Sequence, residues 1–348
     1  MKVAEFSFDL PPELIAQHPP AVRGMSRLLV LERSTGRCTH AGIGDLPQWL
    51  RTGDLLVLNN TRVFPARLLG VREPGGGAVE VLLVSPLGDD RWEALVHPGQ
   101  RLKPGRRLTF ERDGRVLRAE VLAQRFFGRR EVRLWSDAGE PVAELIDMVG
   151  HIPLPPYIKR ADSDQDRERY QTVYARESGS VAAPTAGLHF TDELLARLDA
   201  SGVERAEITL HVGYGTFKPV RVTEVENHVV DTERYSIAPD AAARINAALE
   251  AGRRIVVVGT TTTRALESAV AQGNGRVQSG PAETGLFIYP GYAFAAVGAL
   301  VTNFHLPASS LLMLVAAFGG RTAVLAAYAE AVRERYRFYS YGDAMLIV

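Results

Sequence analysis

"RRIVVVGTTTTRALESAV", residues 253–270, decides the fold, because an apolar strand runs through one glycine directly into an amphipathic helical pattern. An apolar stretch that ends in polar residues recurs in "DLLVLNNTR" (54–62), "AEITLHVG" (206–213) and "GALVTNFH" (298–305). A second helical run, "SSLLMLVAAF" (309–318), follows the last of these. Strand–helix units of this kind imply a parallel sheet or barrel. We therefore predict an α/β fold with a distorted β/α barrel-like main domain.

Between residues 65 and 149 the pattern changes to short alternating segments separated by Gly, Pro and Asp. Such segments are typical of a small antiparallel β domain. Because strand–helix features lie on both sides, we predict that residues 65–149 form an inserted antiparallel β-barrel domain. Residues 1–64 and 150–348 then form one discontinuous catalytic domain. The alternating segments are "AVEVLLVSP" (78–86), "WEALVHP" (92–98), "RRLTFE" (106–111), "VLRAEVLAQ" (116–124) and "REVRLWS" (130–136).

The composition indicates a globular protein. The chain has 348 residues, 46% of them hydrophobic, with 40 basic and 40 acidic side chains. Its single cysteine, Cys38, excludes an internal disulfide framework and a cysteine-based zinc cluster, which fits a reducing compartment. No basic start leads into an apolar signal segment, and no run reaches the roughly 20 apolar residues of a membrane span. We expect a cytoplasmic protein without a membrane partner.

Polar side chains gather where the apolar strands end. Proteins built from strand–helix units place their active sites at such ends, because rigid strands aim the side chains of the following loops. For any one residue, a capped turn or a hydrogen-bonded core position is the better explanation, and the functional interpretation depends on the coincidence of several such strand ends. The residues are Asn59, Asn60, Thr61, Thr185, His189, His211, Thr260 and Asn303.

Two of these corners also lead into helices. In "VVVGTTTTRALES" (256–268) and "FHLPASSLLML" (304–314), free N–H groups and the positive helix end favour a phosphate or carboxylate. Ordinary capping by the threonines and serines explains the same residues.

The stretch "VAAPTAGLHFT", residues 181–191, brings His189 and Phe190 to a corner. Thr191 is a good N-cap for a helix that ends at Gly202. This leaves the histidine for proton transfer near neutral pH and the phenylalanine for stacking on a base. A histidine bonded to a backbone carbonyl is the alternative. No metal-ligand spacing, P-loop or G-x-S-x-G pattern occurs.

The charge distribution points to a nucleic-acid partner. Between Arg101 and Arg133 lie eleven basic and four acidic residues, with Phe110, Phe126 and Phe127 among them. A basic patch with interleaved rings is the pattern expected for RNA, although a solvated β face is the alternative. The basic residues that we select for tRNA contact are Arg106, Arg107, Arg129 and Arg130.

Long motifs then carry a resemblance to the S-adenosylmethionine:tRNA ribosyltransferase-isomerase family of queuosine biosynthesis. They occur in order over nearly the whole chain, and the basic β segment matches least. One departure is the pair Thr262 and Thr263, where the family pattern has serine and valine. The motifs are "FDLPPELIAQHP" (8–19), "LLVLNNTRVFPARL" (55–68), "GHIPLPPYI" (150–158), "YQTVYARESGSVAAPTAGLHFT" (170–191), "TLHVGYGTFKPVR" (209–221), "VVGTTTTRALES" (257–268), "LVTNFHLPASSLLMLVAAF" (300–318) and "YRFYSYGDAMLI" (336–347).

The resemblance implies a reaction. The family moves the ribosyl part of S-adenosylmethionine to the aminomethyl group of 7-aminomethyl-7-deazaguanine at the tRNA wobble position. The products are epoxyqueuosine-tRNA, adenine and methionine. S-adenosylmethionine is consumed as a substrate, and no further cofactor and no metal are implied. We expect a monomer whose partners are this tRNA and S-adenosylmethionine.

The resemblance also implies site residues. The sulfonium acidifies the adjacent 5′ C–H, so a positioned base can generate an ylide in a polar pocket. We assign proton transfer to His189 and His211, with His305 as a third candidate. The residues predicted to bind the substrate's ribose, adenine or methionine parts, or to stack on a base, are Asn59, Asn60, Arg62, Thr185, Phe190, Tyr214, Thr216, Phe217, Thr260, Arg264 and Asn303.

Two alternatives remain open. An S-adenosylmethionine-dependent tRNA methyltransferase is disfavoured, because no glycine-rich loop follows a first strand in the Rossmann manner. A non-catalytic RNA-binding protein would need only the basic segment, and for it the strand-end histidines would be dispensable.

Overall fold

The computed structural model describes the backbone of residues 1–348 and all side chains except those of Phe127, Thr216 and Phe217. The strands are β1 Arg27–Glu32, β2 Arg37–Gly42, β3 Leu55–Asn59, β4 Thr61–Val63, β5 Arg67–Glu73, β6 Ala78–Gly88, β7 Arg91–His97, β8 Arg107–Arg112, β9 Arg115–Gln124, β10 Arg129–Trp135, β11 Glu177–Ser180, β12 Glu204–Leu210, β13 Glu233–Ile237, β14 Ile255–Val258, β15 Gly280–Thr284, β16 Ala299–Asn303 and β17 Ala344–Ile347. The α-helices are α1 Val142–Val149, α2 Asp164–Arg169, α3 Asp192–Ala200, α4 Pro239–Glu250, α5 Thr260–Gln272, α6 Ser310–Gly319 and α7 Arg321–Arg333. Short 3₁₀ helices span Val3–Phe6, Pro12–Leu14, Ile43–Gln48, Gly99–Arg101, Phe126–Gly128, Thr185–His189, Tyr214–Phe217 and Val225–Asn227.

Over the described backbone, nine strands form one mixed sheet in the order β15-β13-β12-β3-β14-β16-β17-β1-β2. Its centre, β12, β3, β14 and β16, is parallel, whereas β13 and β17 join its two sides in antiparallel pairs. The main domain therefore contains a mixed sheet instead of a purely parallel one. The α/β class is confirmed.

Both faces of this sheet are buried. Leu55 and Val57 of β3 belong to the core cluster that contains α4, α5, α6 and α7. Leu56 and Leu58 of the same strand belong to the cluster on the other face, which contains α3. Because both faces are covered, β3, β14 and β16 are buried along their whole length, whereas β12 keeps an alternating pattern.

The inserted antiparallel β-barrel is also confirmed. It is closed in the order β10-β7-β6-β5-β8-β9. The alternating segments did not predict β5, whose apolar pattern is interrupted by Gly70. A Cβ at Gly70 would lie 2.1 Å from the carbonyl oxygen of Thr109, so the pairing of β5 with β8 that closes the barrel requires glycine here.

The barrel strands lie between Arg67 and Trp135, and the strands of the large sheet come from the chain on both sides. The apolar residues of α1 pack into the barrel core. These positions agree with an insertion, and the division into residues 65–149 and the flanking segments stays a prediction.

The start of α3 agrees with the prediction from the sequence, whereas the start of α5 differs from it. Thr191 caps α3, and its hydroxyl accepts a hydrogen bond from the N–H of Leu194. The threonines of α5, in contrast, do not cap it. Gly259 is the N-cap residue, with φ of +93°, a left-handed conformation that favours glycine.

Along the described chain, no single helix is long and apolar enough to cross a membrane. Helices α6 and α7 have the length and apolar composition of a membrane span only when taken together, and they are bent by 115° at the break between them.

Asn59 fastens the end of β3 to β12. Its Nδ2 donates to the carbonyl of Leu210 at 2.9 Å, and its Oδ1 accepts from the N–H groups of Leu210 and Thr61 at 3.0 and 3.1 Å. Because Asn59→Ala leaves these buried groups unpaired, we expect it to lower the free energy of unfolding by about 2–4 kcal/mol. Urea denaturation measures this value. The exposed Asn227→Ala is the control, and a loss in Asn59→Ala no larger than the control's would contradict the prediction.

Candidate functional site

A cleft of about 240 Å³ lies at the ends of β14 and β16. Most of its lining is apolar, and a few hydroxyl, amide and imidazole groups interrupt it. Such clefts, with a small number of placed polar groups, are typical of small-molecule sites. The cleft is lined by four segments, 182–186, 218–220, 259–261 and 305–309, and by Tyr157, Val212, Thr302, Asn303, Leu311, Tyr339 and Ser340.

The start of α5 opens into this cleft. The hydroxyls of Thr262 and Thr263 donate back to the carbonyls of Val258 and Gly259, at 2.7 and 3.1 Å, so they do not cap the helix. Thr260 lies at the first helical position and lines the cleft. An uncapped N-terminus presents free N–H groups and the positive end of the helix dipole, which together favour an anionic group.

The start of α6, in contrast, is capped by its own chain. Ser309 accepts a hydrogen bond from the N–H of Leu312 at 3.2 Å and donates to the carbonyl of Leu306 at 2.8 Å. The predicted serine cap is therefore present here.

The amide of Asn303 organises the polar side of the cleft. Its Oδ1 accepts from the hydroxyl of Thr185 at 2.9 Å, and its Nδ2 donates to the carbonyl of Tyr339 at 3.1 Å and to Nε2 of His189 at 3.0 Å. Since Nε2 of His189 accepts, its Nδ1 carries the proton and donates to the hydroxyl of Ser26 at 2.8 Å. His189 is thus a neutral imidazole with both nitrogens in use.

Burial explains the charge state of His189. The residue is 3% exposed, and loss of hydration lowers the pKa to about 4, with smaller contributions from the positive charges of Arg337 and Arg23. It lies behind Asn303 and lines a smaller pocket that also contains Ser26.

His305 lines the cleft itself. Its Nε2 is 2.8 Å from the hydroxyl of Thr302, and its backbone N–H donates to the hydroxyl of Tyr328 at 3.0 Å. Among the described residues, its Nδ1 has no hydrogen-bond partner. Burial lowers the pKa of His305 to about 3, so the ring is neutral.

His211 lies outside the cleft lining. Its Nδ1 is 2.8 Å from the hydroxyl of Thr61. Its ring packs over Gly179, where a Cβ would come 2.8 Å from the ring. Partial burial lowers its pKa, and Glu177 opposes that shift.

Two non-glycine residues of the cleft adopt left-handed backbone conformations. These are Tyr339, with φ of +72°, and Ala308, with φ of +56°. The ring of Tyr339 lies against Tyr157, with centroids 3.9 Å apart, and its hydroxyl is buried without a partner among the described residues. Such conformations carry a cost and are enriched at functional sites, and two of the seven non-glycine residues with positive φ in the described chain line this cleft.

Comparison with known proteins identifies the family. The profile of the family described as "Queuosine biosynthesis protein" matches residues 3–347. The chain belongs to this family. It is 53% identical to the S-adenosylmethionine:tRNA ribosyltransferase-isomerase of Symbiobacterium thermophilum and 51% identical to that of Heliobacterium modesticaldum, over the full length of both chains in each pair. A crystal structure of the S-adenosylmethionine tRNA ribosyltransferase of Thermotoga maritima is 38% identical, with a TM-score of 0.54, and covers 99% of this chain and 100% of the other.

The family motifs contribute unequally to the cleft. Of the residues predicted from the sequence, Thr185, Thr260, Asn303 and His305 line it. Asn59 and Asn60 do not. The Nδ2 of Asn60 bonds Glu207 at 3.3 Å and its Oδ1 accepts from Thr209 at 2.7 Å, so both asparagines serve the junction of β3 and β12. Their predicted contact with substrate has no support in this geometry.

The aromatic residues predicted to stack on a base lie in different surroundings. Phe190 is fully buried in the core on the α3 side of the sheet, where no base can stack on it, because the chain turns its ring inward after His189. Tyr214 is partly buried against the barrel core. The side chains of Thr216 and Phe217 lie outside the described residues.

The two predicted arginines differ in burial. Arg62 is exposed. Arg264 is buried outside the cleft lining, where it bonds Glu233 at 2.7 Å and the carbonyl of Leu286 at 2.8 Å. Its Nη2 has no partner among the described residues.

Sequence reasoning missed several residues of the cleft. Tyr339 and Ser340 lie in "YRFYSYGDAMLI", and Lys218 lies in "GTFKPVR". Both motifs supported the family resemblance, so the signal was present, but nothing in the sequence indicated that these segments fold back to β16. Within the described part of the chain, no group of three or more His, Cys, Asp or Glu side chains could hold a metal ion.

The buried histidines predict the acid stability of the protein. His189 and His305 have folded pKa values of about 4 and about 3, below their ordinary value, so only the unfolded chain binds their protons as the pH falls below about 6.5. The free energy of unfolding should therefore decrease between pH 6.5 and about 4, by up to about 1.4 kcal/mol per pH unit for each histidine. Urea denaturation of His305→Gln should give a shallower decrease. The exposed His18→Gln is the control, and equal slopes in all three proteins would contradict the assignment.

Proposed function

We propose that this chain transfers and isomerises the ribosyl moiety of S-adenosylmethionine onto the aminomethyl group of 7-aminomethyl-7-deazaguanine at the tRNA wobble position. The products are epoxyqueuosine-tRNA, adenine and methionine. The observation that carries the proposal is the similarity to enzymes of that name, at 53% identity over the full length of both chains. S-adenosylmethionine is a substrate, and the proposal requires no other cofactor.

The cleft is the proposed site of S-adenosylmethionine. The uncapped start of α5 suits the carboxylate of its methionine part, since free N–H groups and the helix dipole favour an anion. Thr185 offers its hydroxyl oxygen, and Asn303 the remaining lone pair of its Oδ1, as acceptors for the hydroxyls of ribose. The rings of Tyr157 and Tyr339 offer aromatic surface to adenine.

His305 is the proposed base. The positive sulfur acidifies the neighbouring 5′ C–H, and a neutral imidazole can accept that proton in a largely dehydrated cleft. His305 supplies such a ring at the cleft wall, with Nδ1 unpartnered among the described residues. Ribosyl transfer then breaks the C1′–N bond to adenine and the C5′–S bond to methionine, while the amine of the tRNA base loses a proton and forms the new C–N bond. The proton taken from C5′ leaves with adenine, and the sulfur keeps the electron pair of the broken C5′–S bond, so that methionine is released.

His189 has a positioning role in this proposal. Both its nitrogens are hydrogen-bonded, and it accepts from Asn303, so it fixes the orientation of the amide that faces the substrate. His211 takes no part in the proton transfer, since it lies outside the cleft lining.

The barrel is the proposed site of tRNA contact. Arg107 is exposed and forms no ion pair among the described residues, whereas Arg129 pairs with Glu93 at 2.6 Å and Arg106 donates to the carbonyl of Glu73 at 3.0 Å. Arg130 is buried and donates to backbone carbonyls, so its guanidinium is not available for the predicted phosphate contact. Monomeric action in the cytoplasm remains part of the proposal.

Label transfer tests the proposed reaction. The protein is given tRNA that carries the 7-aminomethyl base and S-adenosylmethionine labelled either in its ribose or in its methyl group. We expect ribose label in the tRNA and one adenine released per transfer, because the ribose is the fragment that migrates. Radioactivity in gel-purified tRNA and chromatography of adenine give the two readings.

Each of the other outcomes would indicate a different function for this protein. Methyl label in the tRNA would contradict ribosyl transfer and indicate a methyltransferase. No transfer of either label by a folded protein that still binds the tRNA would indicate a non-catalytic RNA-binding protein. Unmodified tRNA without the aminomethyl group is the matched control, and it should accept neither label.

A further inference from the structure

We propose that one end of the β-barrel is the platform on which the tRNA binds, through its phosphates and one unstacked base. The platform consists of the turn 98–106 between β7 and β8 and the turn 125–128 between β9 and β10. Both turns lie at the same end of the barrel, because the start of β10 pairs with the second half of β7, Arg129 with Leu95, and with the end of β9, Arg130 with Gln124. The proposal rests on the tRNA substrate of the proposed function.

A buried arginine joins the two turns. The guanidinium of Arg130 donates to the carbonyls of Leu102 and Gly99 in the first turn, both at 3.0 Å, and to that of Gly128 in the second turn at 3.3 Å. The planar guanidinium group of Arg130 therefore holds the backbones of the two turns in fixed positions relative to each other. A surface that is already ordered loses less conformational entropy when a partner binds.

The platform carries uncompensated positive charge. Residues 98–106 and 125–128 contain four basic side chains and no acidic one, and Arg129 follows directly. Arg125 pairs with Glu131 and Arg129 pairs with Glu93. Arg101 and Lys103, in contrast, are exposed and form no ion pair among the described residues.

Other arginines of the barrel are neutralised by carboxylates. Arg115 pairs with Glu140, and Arg118 bonds both Glu73 and Asp137. Counting the basic residues of the segment therefore overstates its positive surface. The charge that remains for phosphates is concentrated at Arg101 and Lys103, together with the nearby Arg107.

An exposed aromatic ring lies beside this charge. Phe126 forms part of the second turn, and 87% of its surface is exposed. A phenylalanine on a fixed turn offers a flat apolar face without its own packing partner, which suits an unstacked RNA base. Positive groups beside such a ring distinguish an RNA platform from a protein-binding apolar patch.

A carboxylate links the platform to the cleft. Nη2 of Arg129, at the edge of the second turn, lies 3.7 Å from Asp231, and Nζ of Lys218 lies 2.7 Å from the same carboxylate. Lys218 lines the cleft. A tRNA held on the platform is thus next to the wall of the cleft that would receive its wobble base.

Two variants of the full-length protein test the platform. In Arg101→Glu/Lys103→Glu we expect the Kd for tRNA carrying the 7-aminomethyl base to rise about tenfold or more, with a shallower dependence on salt, because phosphate contacts set that slope. In Phe126→Ala we expect a rise of about tenfold with the salt dependence unchanged, because stacking releases no counterions. Fluorescence anisotropy gives both values, and the Kd for S-adenosylmethionine should stay at the wild-type value.

Matched controls lie elsewhere on the molecule. Arg37→Glu/Arg333→Glu reverses two exposed charges on β2 and α7, and Leu87→Ala removes a side chain that is 45% exposed at the other end of the barrel. Both should bind tRNA like the wild type. Wild-type affinity in both platform variants would overturn the proposal, as would equal losses in the controls.

Direct binding separates this proposal from the proposed function. If the platform variants lose tRNA while the wild-type protein moves no ribose label, the platform stands and the proposed reaction fails. If ribose transfer by the platform variants keeps the wild-type KM for tRNA, the reaction stands and the platform is wrong.

Discussion

The amide of Asn303 holds together the three chain segments on which the cleft depends. It accepts from Thr185 in the 182–190 segment and donates to His189 in the same segment and to the carbonyl of Tyr339 near the C-terminus, while its own backbone ends β16. Buried amides with every hydrogen bond satisfied specify one arrangement, because any other leaves polar groups unpaired. The left-handed conformation of Tyr339 persists in this setting, since both its N–H and its carbonyl are hydrogen-bonded.

Burial keeps both His189 and His305 neutral. His189 accepts from Asn303 and is shielded from water, and His305 is buried at the cleft wall. Both rings have pKa values below the ordinary value of histidine, because burial disfavours the charged form. A positively charged substrate such as a sulfonium is better accommodated by neutral rings than by imidazolium ions, so the burial that costs stability in acid also suits the proposed chemistry.

The sequence predicted those features that depend on local pattern. The apolar runs of β3, β14 and β16, the cap at Thr191 and the alternating barrel strands each follow from nearest neighbours along the chain. Features that depend on distant segments were missed or misjudged. Phe190 points into the core, Asn59 binds the backbone of β12, and Arg130 is buried beneath two turns.

The basic segment shows this limit most clearly. The excess of positive residues in this segment can be counted from the sequence. Which arginines form ion pairs with Glu73, Glu131 and Glu140 depends on how the barrel closes. Histidines behave in the same way. Their position at strand ends indicated a polar site, whereas only the fold separates His305 at the cleft wall from His189 behind Asn303 and His211 outside.

The rate of a single turnover in His305→Gln tests the central claim most directly, which is that the chemistry takes place in the cleft with His305 as the base. With tRNA and S-adenosylmethionine both saturating, we expect ribose transfer to slow by about 10²-fold or more, because glutamine cannot accept the proton. The Kd for S-adenosylmethionine should remain near that of the wild type, and His18→Gln should turn over normally. A wild-type rate in His305→Gln would contradict the account and move the base to another residue.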